Sequence, residues 1–126
     1  MNTMDGKSEK GIQKIMESEK VKNILIEAIE DMKAVNVVAL DVSAMTSITD
    51  YMIICSGTSN RHVKSIAESA MMAMKEAKIE MLGTEGMDTG EWVLVDCDYA
   101  ILHVMLPETR GFYQLEKLWD PSLKDE

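Results

Sequence analysis

Met52-Ile53-Ile54-Cys55-Ser56-Gly57-Thr58-Ser59-Asn60, residues 52–60, passes from a β-branched-rich apolar run into a Gly-Thr-Ser turn, and its reading decides the fold. The apolar run is too short for a helix and fits a strand buried on both faces of a sheet. Beyond the turn, Val63, Ile66, Ala67, Ala70, Met71 and Met74 recur at helical spacing, which predicts an amphipathic helix to about Ala77 with its cap among Thr58, Ser59 and Asn60. The methionines on its face read as core filler. Upstream, Val37-Val38-Ala39-Leu40-Asp41-Val42 reads as a second strand of the same buried type, and the Ser- and Thr-rich stretch 43–51 as an exposed connection.

Working outward, Val21, Ile24, Leu25, Ala28, Ile29 and Met32 predict a first helix from an N-cap at Ser18 to about Lys33. Residues 1–17 contain Gly6 and Gly11 and no sustained period, so they read as a flexible arm with at most a helical turn near Ile12 to Met16. Toward the C-terminus, Ile79 to Leu82 reads as a short strand or extended approach and Gly83 to Gly90 as a loop. Trp92 to Asp96 and Ala100 to Met105 form an antiparallel hairpin about Cys97-Asp98-Tyr99. Pro107 opens a last helix through about Lys117, and residues 120–126 are a charged tail. The order α-β-β-α-β-β-β-α defines an α/β domain over residues 18–119, a mixed sheet of about five strands flanked by helices.

A chain of 126 residues fits one domain with its own core. Its 13 Lys and Arg against 22 Asp and Glu give a net charge of −9, which opposes a phosphate backbone and favours a basic protein partner. Direct nucleic-acid binding is therefore not expected as the main contact. Cys55 and Cys97 lie in apolar segments, as buried thiols of a reducing cytoplasm do. No signal-peptide core or membrane-length apolar run occurs, so a cytoplasmic location without a membrane partner is expected.

Chemistry-bearing groups are few. His62 and His103 lack a second ligand at metal spacing and read as structural or interface groups. Cys55 sits mid-strand, where a thiol is inert. Gly57-Thr58-Ser59 lacks the Lys of a phosphate loop and reads as a helix cap. Asp96-x-Asp98 is a carboxylate pair with spacing for a divalent metal such as Mg²⁺, and Asp41 and Asp50 extend it only if the fold brings them together; at a hairpin turn, however, Asp is favoured simply for its side-chain to backbone hydrogen bonds. No catalytic residue, metal or cofactor is expected. What remains is aromatic: Trp92, Tyr113 and Trp119 are candidate interface anchors, whereas Phe112 and Leu115 are expected to cover the sheet.

Ala39-Leu40-Asp41-Val42, then Ser47-Ile48-Thr49-Asp50-Tyr51 running through Gly57-Thr58-Ser59-Asn60-Arg61-His62-Val63, resembles the Iojap-type ribosomal silencing factors. Gly86, Trp92 to Asp96, His103-Val104-Met105 and Arg110 to Trp119 continue the resemblance in order. It implies a nucleotidyltransferase-like fold without transferase activity. It further implies binding to large-subunit ribosomal protein fourteen, obstruction of subunit joining when nutrients are scarce, and a homodimer when free. Carried over by position, it places Trp92, Val93, Tyr113, Glu116, Lys117, Leu118 and Trp119 on the ribosomal protein, with Asp50, Glu85 and Asp96 supplying charge.

Overall fold

A computed structural model describes residues 4–120 and 122, with side chains described from residue 11 onward. The elements are α1 (Met4–Asp31), β1 (Val35–Asp41), β2 (Tyr51–Ser56), α2 (Asn60–Glu76), β3 (Gly83–Glu85), β4 (Trp92–Asp96), β5 (Ala100–Met105), α3 (Pro107–Tyr113) and α4 (Leu115–Trp119). The strands form one five-stranded mixed sheet in the order β1-β2-β5-β4-β3. β2 and β5 run parallel and every other neighbouring pair is antiparallel. The expected α/β class and mixed sheet are what the structure has. No helix among the described residues is long and apolar enough to cross a membrane.

The period of two along each strand divides the core into two layers. On one face, Ile53 and Cys55 of β2, Val93 and Val95 of β4, and Leu102 and Val104 of β5 meet Leu25 and Ile29 of α1 and Ile66, Ala70 and Met74 of α2. On the other, Met52, Ile54, Ile101 and Met105 lie under Val42 and Leu115. α2 starts where its cap dictates: Ser59 is extended, and its hydroxyl accepts from the His62 amide at 3.0 Å. The Gly-Thr-Ser stretch is thus a helix cap, as expected. Ser59→Ala is expected to lower stability by about 1 kcal/mol, read as a shift in denaturant midpoint at unchanged slope.

Four local expectations are corrected. α1 begins at Met4, not at Ser18, because Ser18 points inward, only 4% exposed, and its hydroxyl bonds the Lys14 carbonyl at 3.0 Å and the Asp50 carboxylate. It is a mid-helix serine bonded back one turn, so residues 4–17 continue the helix, with residues 11–17 exposed. β1 is a half-exposed edge strand rather than one buried on both faces, since only β2 pairs with it. The third strand is Gly83–Glu85, inside the expected loop, added by pairing with β4. The last helix is two: Gln114, left-handed at φ 49° and ψ 51°, separates α3 from α4. The charged tail, apart from Asp120 and Ser122, lies outside the described residues.

Candidate functional site

β4 alternates Trp92, Leu94 and Asp96 toward the face away from α1 and α2, while Val93 and Val95 point into the helix-covered core. Val93, fully buried, therefore cannot present its side chain to a partner in this fold, which corrects its place among the expected contact residues. Trp92 stands one register step diagonally from His103 on β5, and its indole N–H donates to His103 Nδ1 at 2.9 Å. Burial holds His103 neutral by pushing its pKa down to about 4. With Nδ1 accepting, the proton sits on Nε2, which faces Met52 Sδ at 3.0 Å. The tryptophan thus spends its one polar group inward and leaves the rest of the ring as apolar surface.

His103 pKa lies below the ordinary 6.5, so the unfolded chain binds more protons than the folded one between those values. Stability from this group is complete above pH 6.5 and is lost as pH falls from about 6.5 toward 4. His103→Gln, whose amide can still accept from Trp92 and donate toward Met52, is expected to flatten that part of the stability curve. Denaturant titrations across the interval compare the two proteins.

α3 and α4 bring the other aromatics to Trp92. Pro107 sets the first turn, and the Leu106 amide bonds the Glu91 carbonyl at 3.0 Å, fixing α3 to the start of β4. Arg110 then acts as a clamp. Its Nε and Nη2 donate to Glu116 Oε2 at 3.3 and 3.2 Å, and its Nη1 donates to Ser56 Oγ at 3.1 Å. Leu115 is buried and Trp119 half-buried against the second apolar layer. The Tyr113 ring lies 4.9 Å from Trp92 and 5.0 Å from Phe112, between centroids. Phe112 is 76% exposed, so it does not cover the sheet as expected.

Beside these rings is a groove of about 460 Å³ lined by Glu91, Trp92, Glu108, Thr109, Phe112 and Tyr113. Tyr113 and Leu118 are exposed at 55% and 57%, and Lys117 is exposed beside them. Glu116 is engaged by Arg110. Glu85 lies on the edge strand opposite Leu94, exposed, on the same face as Trp92. Asp96 holds the hairpin turn, accepting from the Asp98 amide at 2.9 Å. Asp50 is elsewhere: the strand row containing Tyr51 and Ala100 is five residues of β5 from the row of Trp92 and Met105, about 17 Å along the strands.

The carboxylates weighed as a metal set are not gathered. Asp41 is three strand spacings from Asp96, about 14 Å, and neighbouring Leu40 shares the face of Asp96 while Asp41 does not. Among the described residues, no group of three or more His, Cys, Asp or Glu is placed to share a cation. Cys55 and Cys97 are free, buried thiols whose pKa is pushed up to about 12 by desolvation. His62 ties helix to helix, accepting from the Thr58 amide at 2.9 Å through Nδ1 and donating to the Met32 carbonyl at 2.8 Å through Nε2.

Fold and site together define an α/β domain whose sheet carries helices on one face and, at one end of the other, a partly exposed aromatic cluster. The family described as "Ribosomal silencing factor during starvation" matches residues 15–126. A "Ribosomal silencing factor RsfS" of Chromobacterium violaceum is 44% identical over 104 residues, covering 82% of this chain and 85% of that one. A crystal structure of a Chromobacterium violaceum protein, also 44% identical, superposes with a TM-score of 0.79 over 80% of this chain and 84% of that one. A mouse relative named "Mitochondrial assembly of ribosomal large subunit protein 1" is 34% identical over 100 residues, 77% of this chain and 44% of its own length. The chain belongs to the ribosomal silencing factor family, and the Iojap-type resemblance read from the sequence is correct.

Proposed function

We infer that this chain is a non-catalytic cytoplasmic repressor of translation that binds the large ribosomal subunit through large-subunit protein fourteen and blocks joining of the small subunit by occupying its place when nutrients are scarce. One observation supports the docking surface above others: Trp92, Tyr113 and Phe112 form a contiguous ring cluster at the surface of a chain of net charge −9. Aromatics of this kind anchor interfaces, and an acidic field speeds encounter with a basic partner. The family supports the ribosome as target, and the name of the mouse relative supports its large subunit. Trp92, Tyr113, Lys117, Leu118 and Trp119 form the proposed contact, with Glu85 near it on the same face; Asp96, four residues along β4 and about 13 Å from the Trp92 row, lies toward the Asp50 end of the strands. When free, the protein is a homodimer on this reading.

The test is subunit joining followed by sedimentation. Saturating protein is expected to hold the subunits apart without consuming nucleotide. Undiminished joining, or nucleotide turnover that accompanies the effect, removes the reading.

A further inference from the structure

The groove between the start of β4 and α3 is lined by aromatic rings, carboxylates and the hydroxyl-bearing Thr89 and Thr109. Trp92, Phe112 and Tyr113 supply aromatic surface, and Glu91 and Glu108 supply carboxylates. Among the described residues neither carboxylate is paired with a cation, the ion pairs there being Lys22 with Glu19 and Arg110 with Glu116. Because the Trp92 indole N–H is turned inward to His103, it does not present its positive edge to an occupant. A phosphate or carboxylate entering the groove would be repelled by Glu91 and Glu108 with only the hydroxyls of Thr89 and Thr109 to offset it. An apolar side chain would desolvate both carboxylates without pairing either. An ammonium satisfies the charge but is compact and strongly hydrated, and gains little from flat ring surface.

A guanidinium suits both the rings and the carboxylates: it is planar, stacks on aromatic faces, and offers a fork of donors that matches a carboxylate, with donors left over for a threonine hydroxyl. We propose that this groove is a subsite for an arginine side chain of the basic protein on which the chain docks. The site deepens the docking reading and rests on it. Arginine is the group that makes the acidic rim and the aromatic cluster one recognition element: rings fix the plane, and Glu91 and Glu108 fix the charge.

The probe is N-acetyl-arginine amide, titrated into the ¹⁵N-labelled full chain, with the citrulline and lysine counterparts as controls. Saturable shifts at residues 91, 92, 108, 112 and 113 are expected. Both controls, and arginine with the Glu91→Gln/Glu108→Gln double variant, should bind at least roughly threefold more weakly. Both substitutions fall on exposed residues, so the fold is retained. Citrulline or lysine binding as well as arginine, an unaffected double variant, or no shift at any concentration overturns the subsite. Large-subunit binding by the wild type is measured alongside. Failure there sinks the docking reading, whereas subunit binding with a flat arginine titration sinks the groove alone.

Discussion

Replacing Trp92 by alanine is expected to weaken large-subunit binding by about 2 kcal/mol or more, roughly 30-fold in Kd, while the domain stays folded. Trp92 is half-buried, so much of its ring is already ordered before a partner arrives. The His103 bond fixes its orientation, and the Tyr113 ring packs against it at 4.9 Å between centroids, tilted by 50°. An anchor held in this way loses little rotamer freedom on docking, so more of its buried area appears as affinity. Truncation also opens the Tyr113 ring to water and leaves His103 Nδ1 to find a water partner. Asp50→Asn is the contrasting variant. Its carboxylate is engaged by Ser18 at the far end of the strands, so its effect on affinity is expected to stay within about threefold, the scale of a charge outside an interface core. Sedimentation binding with both variants, beside thermal unfolding of each, separates the outcomes: a Trp92→Ala protein that is folded and binds like wild type removes this face from the proposed interface.

The largest expected loss of stability comes from Gly86→Ala. Gly86 has φ +90°, and a Cβ built there would lie 2.0 Å from the Trp92 carbonyl oxygen and 3.0 Å from its carbonyl carbon. Both obstacles are backbone, so no rotamer change relieves them; the loop or the start of β4 must shift. The loop has little slack. Gly90 bonds back to the Gly86 carbonyl at 3.0 Å, Asn60 Nδ2 holds the Thr89 carbonyl at 2.9 Å, and Lys64 Nζ holds that of Asp88 at 3.1 Å. A loss of at least about 3 kcal/mol is expected, lowering Tm by roughly 10 °C. Gly83→Ala is the control, since a Cβ there meets nothing within 4 Å, and its effect should stay within about 0.5 kcal/mol. Equal melting temperatures for the two variants would show that the loop yields more easily than these contacts imply. Since the strain falls on the backbone of Trp92, any folded fraction of Gly86→Ala should also dock weakly.

The parts of the fold legible in the sequence are those where one short-range rule acts alone. α2 has a serine cap followed by helical spacing, and β4 and β5 alternate or stay apolar around an Asp-rich turn. The misread parts depend on distant partners. β3 is three residues that become a strand only because β4 lies beside them. Ser18 looks like a cap until Asp50, far along the chain, is seen to take its hydroxyl. The break at Gln114 carries no glycine to announce it; the left-handed turn there accompanies the Arg110 and Glu116 pairing that folds α4 back over the sheet. The candidate site divides in the same way. Trp92 and Tyr113 stand out by residue type, and the period of two in β4 that places Trp92 on the outer face also buries Val93, against the contact role that the family resemblance implies for it. The inward bond of Trp92 and the pairing of Glu116 required the assembled sheet.

The two cysteines give the molecule a built-in clock. Each thiol is buried in the core between sheet and helices and protonated at neutral pH, so a maleimide or a disulfide reagent in the surrounding solution finds no thiolate until a segment opens. Cys55 is in a central strand and Cys97 beside a hairpin turn near the sheet margin, so they report different openings. The faster trace times fraying of the margin; the slower one times rupture of the centre, with no label having to be engineered in.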